Sequence, residues 1–120
     1  MHGPCYAREE WPDYLGSYYA DQSGELLEEF IALTERYPGQ VHCLMGNHEH
    51  SHVGGPHTPK FWEDETAYFE HSVGEQRARR YRDLFRSFPL IAVSSCGVAF
   101  THAAPNVQVS SLDELAEVDY

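Results

Sequence analysis

Two short apolar runs each lead into a histidine, and this pairing constrains the fold more than any other feature of the chain. Val41-His42-Cys43-Leu44-Met45 runs into Gly46-Asn47-His48-Glu49, and Val98-Ala99-Phe100-Thr101 runs into His102. Apolar runs of this length, bounded by turn formers, predict buried strands. Two strands that each deliver an imidazole, one of them beside an Asn, predict a metal site at one sheet edge. Rigid elements hold donor atoms in place better than free loops do. An Asn carbonyl oxygen binds a cation without adding charge, and a neutral imidazole suits a divalent transition metal.

The elements around these runs fit an α/β arrangement. Ser23 is placed to cap a helix, with Glu25 and Glu28 near its positive end. Leu26, Phe30, Leu33 and Tyr37 recur at helical spacing, and Leu27 and Ile31 widen the stripe. Pro38-Gly39 stops this helix, and the Val41–Met45 strand follows at once. Residues 50–59 read as a loop on their Gly and Pro content, placed where a site would be built. A short helix is expected within 60–72. A clearer one runs from Glu75 to Arg86, with Ala78, Tyr81, Phe85 and Phe88 on its apolar side. Ser94-Ser95-Cys96-Gly97 joins Pro89–Val93 to Val98–Thr101 as a β-hairpin whose loop is longer than two residues. Residues 1–22 read as an ordered, aromatic-rich loop and 106–120 as an acidic tail.

The bulk properties narrow the function classes. A chain of 120 residues with 42% hydrophobic content fits one small globular domain. Its net charge of −11 argues against nonspecific nucleic-acid binding, which needs cations to displace phosphate counterions. The 3 cysteines, Cys5, Cys43 and Cys96, form no Cys-x-x-Cys pair and fit free thiols in a cytoplasmic protein. No signal peptide is visible, and no apolar run is long enough to span a bilayer.

Gly46-Asn47-His48-Glu49 at a strand end resembles the calcineurin-like metallophosphoesterases, particularly the group related to serine/threonine protein phosphatases. Phe88-Pro89-Leu90 before the hairpin and His102-Ala103-Ala104 after it extend the resemblance, in the order that the family keeps, over roughly residues 23–105. The resemblance implies a partial phosphoesterase sandwich, in which mixed β-sheet layers are flanked by helices. It implies that Asn47 and His102 bind one divalent metal (Mn, Fe or Zn) and that His48 is the general acid, contacting a phosphoester substrate.

The chain departs from the family pattern upstream. A strand ending Asp-x-His, and a second ending Gly-Asp before Asp-Arg-Gly, are absent from this sequence. Met1-His2-Gly3 reads as the tail of a variant of the second motif. Ala103-Ala104 stands where the family has Gly-Gly, and no histidine follows His102. Asp13 and Asp21 are the nearest upstream aspartates to stand in for a bridging carboxylate.

Three functions therefore stay open: a phosphoesterase or an incomplete fragment of one, a catalytically inactive remnant that binds one metal or a partner, and a His-rich metal-binding module. The third would use His48, His50 and His52, whose alternation puts them on one face if the segment is extended. His50 and His52 are also candidates for further metal or substrate contacts. His42 is expected to pack within its strand. Arg79, Arg82 and Arg86 form a stripe that either attracts phosphate or balances nearby acids. A sandwich without its first strands would leave a sheet edge exposed for association.

Overall fold

The computed structural model describes residues 21–57, 59–60, 63–102, 110–111 and 113–114. The expected N-terminal loop, His2, Asp13 and most of the acidic tail lie outside these residues. The described part is mixed α and β. In chain order its elements are α1 (Ser23–Arg36), α2 (Asn47–Ser51), β1 (Pro59–Lys60), β2 (Glu63–Asp64), α3 (Glu65–Val73), α4 (Glu75–Arg86), β3 (Ile91–Val93) and β4 (Ala99–Thr101). β1 pairs with β2, and β3 with β4, both antiparallel. No helix among the described residues is long and apolar enough to cross a membrane.

Helix α1 forms where its stripe predicts, but its cap is different. Ser23 is the first helical residue and is buried. Gln22 holds the N-cap position without a side-chain cap bond, and Asp21 Oδ1 just before it accepts from the Ser23 N–H at 2.9 Å and from the Ser23 hydroxyl at 2.5 Å. The buried face is also rotated from the expected one. Leu27, Phe30 and Ile31 pack against the core, whereas Leu26, Leu33 and Tyr37 are exposed. A stripe six residues wide offers more apolar positions than one helix face can bury, and packing selects among them.

The run Val41–Met45 joins no strand ladder among the described residues, contrary to the strand expected there. Its apolar character is satisfied by burial, with Met45 in the core. The Met45 N–H donates to the Pro89 carbonyl at 2.9 Å, tying this segment to the chain just before β3. A ladder needs paired neighbours on at least one side, and this contact alone does not make one. His42 is exposed and bonds the Gly39 carbonyl at 3.2 Å, so it does not pack as expected.

The core is aromatic. Met45, Phe69, Tyr81, Phe85 and Phe88 form its buried cluster. Phe88 meets Phe30 and Phe85 edge-on at 5.7 Å in each case, and Phe69 stacks on Tyr81 at 5.8 Å. Rings at these separations gain attraction beyond their buried area. Helices α3 and α4 are joined at Gly74, whose φ of 83° lets the chain reverse between them. Helix α3 starts later than expected because Glu63–Asp64 pairs as β2 with β1. Asp64 then caps α3, its Oδ1 accepting from the Thr66 and Ala67 N–H groups at 3.0 and 3.1 Å. The adjacent His57 donates to Asp64 at 2.7 Å and is the main reason that this carboxyl lies below its ordinary pKa.

Each arginine of the α4 stripe meets a carboxylate. Arg79 pairs with Glu75 at 2.7 Å, Arg86 with Asp83 at 2.9 Å, and Arg82 with Glu70 at 2.5 Å and Glu75 at 3.5 Å. Between α4 and α1, the Tyr81 hydroxyl donates to Glu28 at 2.7 Å. That bond lowers the Glu28 pKa, while burial and then Glu28 itself push Tyr81 up to about 12. Both shifts have stability consequences of opposite sense. The Glu28 contribution is present above the ordinary carboxylate range and is lost as pH falls through its lowered value. The Tyr81 contribution is present below the ordinary phenol range and is lost as pH rises through about 12. Tyr81→Phe is expected to flatten both limbs of a plot of urea midpoint against pH, and unchanged limbs would show that this pair does not couple α1 to α4.

The β3–β4 hairpin forms as expected, in the register Ile91↔Thr101, Ala92↔Phe100, Val93↔Ala99. Gly97, at φ 85°, donates its N–H to the Ser94 carbonyl at 2.9 Å, and Ser94 donates to Val98 at 2.8 Å. A glycine with positive φ closing a loop longer than two residues is a common hairpin device. The hairpin's Val93, Val98 and Phe100 are exposed.

Candidate functional site

Three local features bring the two histidine motifs together. Met45 and Phe88 are both buried and anchor the segments on either side of the Met45–Pro89 bond. The β3–β4 register then carries the chain out and back by equal lengths, so the residue after β4 returns to the level of the residues after Met45. Helix α2 begins at Asn47, turning that side chain back toward the hairpin end. His102 Nε2 and Asn47 Oδ1 lie 3.1 Å apart although 55 positions separate them in the chain. Both side chains are exposed.

This separation suits a shared metal. Two donors about 2.0–2.2 Å from one ion, at right to tetrahedral angles, lie roughly 3–3.5 Å from each other. The ring donates its Nε2 proton to the amide oxygen. A cation at that point would take the lone pair that the proton now occupies.

Gly46 adds a second sign of fit. A Cβ built on it would collide with Glu49 Oε2 and would come within 3.3 Å of His102 Cε1 and Nε2. The absent side chain therefore leaves a cradle between the carboxylate and the imidazole. The backbone there is extended, so glycine is required for space rather than for its φ. The Glu49 carboxylate also lies near Cys43. Burial first, and Glu49 second, push that thiol above its ordinary pKa and keep it protonated.

His48 does not join this pair; its partner is Glu65. His48 Nδ1 and Glu65 Oε2 are 2.7 Å apart, with Glu65 5% exposed and His48 37% exposed. A buried carboxylate on Nδ1 fixes both the ring's orientation and the nitrogen that carries the proton. Glu65 sits at the first position of α3, which Asp64 caps. The contact of Ser51 Oγ with Thr66 Oγ1, at 2.5 Å, holds α2 against α3. Sequence reasoning missed Glu65 because nothing in the stretch expected to hold a short helix marks one acid among several. An Asp cap followed by an apolar helix was the available signal.

The three alternating histidines do not share a strand face, because Asn47–Ser51 is helical. His52 is turned into the core between Phe69 and Phe85, with ring centroids at 5.4 and 5.2 Å, and its Nδ1 meets Glu70 at 3.0 Å. His50 lies against Gly55, where a Cβ would strike its ring at 2.6 Å from Nδ1. Among the described residues no group of 3 or more His, Cys, Asp or Glu side chains is placed to hold a metal ion. His48, His50 and His52 therefore do not form a joint metal site. Asp21 is engaged with Ser23 at the start of α1.

The calcineurin-like phosphoesterase family profile matches residues 12–120, and the chain belongs to that family. Members of this family generally use divalent metals. A probable serine/threonine-protein phosphatase of Encephalitozoon cuniculi is 27% identical over 103 residues, covering 83% of this chain. The chain spans only 22% of that relative's length. No solved structure gives a significant match.

Proposed function

We propose that this chain carries part of the active site of a metal-dependent phosphoesterase acting on phosphomonoesters or phosphoproteins. The 3.1 Å approach of Asn47 Oδ1 to His102 Nε2 carries this reading, because family order and observed geometry nominate the same two donors. Asn47 and His102 hold one divalent ion, for which Mn²⁺, Fe or Zn²⁺ suits a nitrogen and oxygen donor set. An ion held by these two residues would supply Lewis-acid activation of the phosphoester and of water. His48 supplies the proton to the leaving oxygen, and Glu65 holds the ring in position for that transfer. The phosphoesterase unit spans residues 23–105 and contributes part of a sandwich of mixed sheets flanked by helices.

The remnant reading, one metal held without turnover, is favoured by one observation. Asp21, an upstream acid weighed as a stand-in for the bridging carboxylate, is bonded to Ser23 at the start of α1 instead. Hydrolysis of p-nitrophenyl phosphate with added Mn²⁺ separates the readings. The phosphoesterase proposal expects turnover that EDTA abolishes and Mn²⁺ restores. Metal binding without turnover would support the remnant.

A further inference from the structure

We infer that Glu49 is a third protein donor to the metal at Asn47 and His102, an inference that rests on the proposed use of those two residues as ligands. The family pattern uses the Asn and the later His at this ion and gives the Glu of Gly-Asn-His-Glu no such part. Here the geometry points to one. Glu49 Oε2 and the His102 imidazole approach the same side of Gly46, the carboxylate touching the space where a Cβ would stand and His102 Nε2 lying 3.3 Å from it. Asn47 Oδ1 is 3.1 Å from that same Nε2. The carboxylate oxygen and the imidazole nitrogen therefore flank the space above Gly46, and the amide oxygen lies beside that same nitrogen.

The Glu49 carboxylate has no competing engagement. Among the described residues no hydrogen bond or ion pair holds it, while Glu65, Glu70, Glu75 and Glu28 each have a histidine, arginine or tyrosine partner. Glu49 is half-buried, so its negative charge faces the His102 ring through reduced solvent screening. A carboxylate beside one amide and one imidazole gives a charged, three-donor set of the kind that divalent transition metals accept, with further positions left to water or substrate. A local carboxylate gives the half-site a charge that Asn47 and His102 alone do not supply.

The test is Mn²⁺ binding to the full 120-residue chain, read by calorimetry and by the electron-spin resonance of free Mn²⁺, for wild type, Glu49→Gln and His102→Ala. Glu49→Gln keeps the side chain's size, and circular dichroism checks that the fold is retained. The inference expects Glu49→Gln to weaken binding at least roughly 10–100-fold, the loss that even outer-shell partners of a metal commonly cause. Should His102→Ala abolish binding while Glu49→Gln binds as wild type does, the inference falls and the Asn47–His102 reading stands. Should wild type bind no Mn²⁺, both fall together.

Discussion

His48→Ala is expected to lower Mn²⁺-dependent hydrolysis of p-nitrophenyl phosphate by roughly 10²–10⁴-fold, the usual contribution of a positioned general acid. Mn²⁺ affinity should change little, because His48 lies outside the donor set. The expected loss is therefore in kcat. The alanine variant also takes from Glu65, a buried carboxylate, the imidazole that sits 2.7 Å away, and this could disturb α3. His48→Asn separates the two effects. Its amide N–H₂ reproduces the donor at Nδ1, so the fold is retained, but it cannot act as a general acid. It should be as slow as the alanine variant. Activity restored by asparagine would show that His48 serves packing alone.

Phe69→Ala is expected to destabilise the domain by about 3–5 kcal/mol, the range for removing a buried phenyl ring. Phe69 is 1% exposed and touches both His52 and Tyr81. The cavity would open between α3 and the residues that follow α2. Native stability of a small domain is about 5–15 kcal/mol, so this one change removes a large share of it. Urea unfolding followed by far-ultraviolet circular dichroism measures the shift. A loss below about 1 kcal/mol would mean that the aromatic cluster is not the core, since even removing a single buried methylene is usually felt. Because α3 also carries Glu65, metal-dependent activity should fall along with stability.

The parts legible in the sequence are those set by local rules. The helix expected from Glu75 to Arg86 has those bounds in the structure, because its apolar positions repeat at helical spacing between a glycine and a proline. The hairpin loop was legible from Ser94-Ser95-Cys96-Gly97, since a glycine at the end of such a loop supplies the positive φ that it needs. The Asn47–His102 approach was legible only through the order of motifs, because no periodicity links residues 55 positions apart.

The parts that were not legible depend on tertiary choice. Val41–Met45 has the composition of a strand, but strand pairing is decided by neighbours and not by the run itself. The alternation of His48, His50 and His52 suggested an extended face. Helix α2 overrides it, and His52 is placed among aromatic rings where its Nδ1 finds Glu70. Glu65 and Glu49 went unmarked for the same reason. In a chain with 19 acidic residues, which carboxylate meets a histidine is settled by packing.

The central claim is that Asn47 and His102 are joint ligands of one metal. The most direct measurement is a titration of the ¹⁵N-labelled chain with substoichiometric Mn²⁺, followed by NMR line broadening. The account predicts that the Asn47 side-chain amide and the His102 ring signals broaden first, with Gly46 close behind and His57 and His71 sharp. Broadening that begins at the exposed acids of α1 and α4, with Asn47 and His102 unaffected, would contradict it.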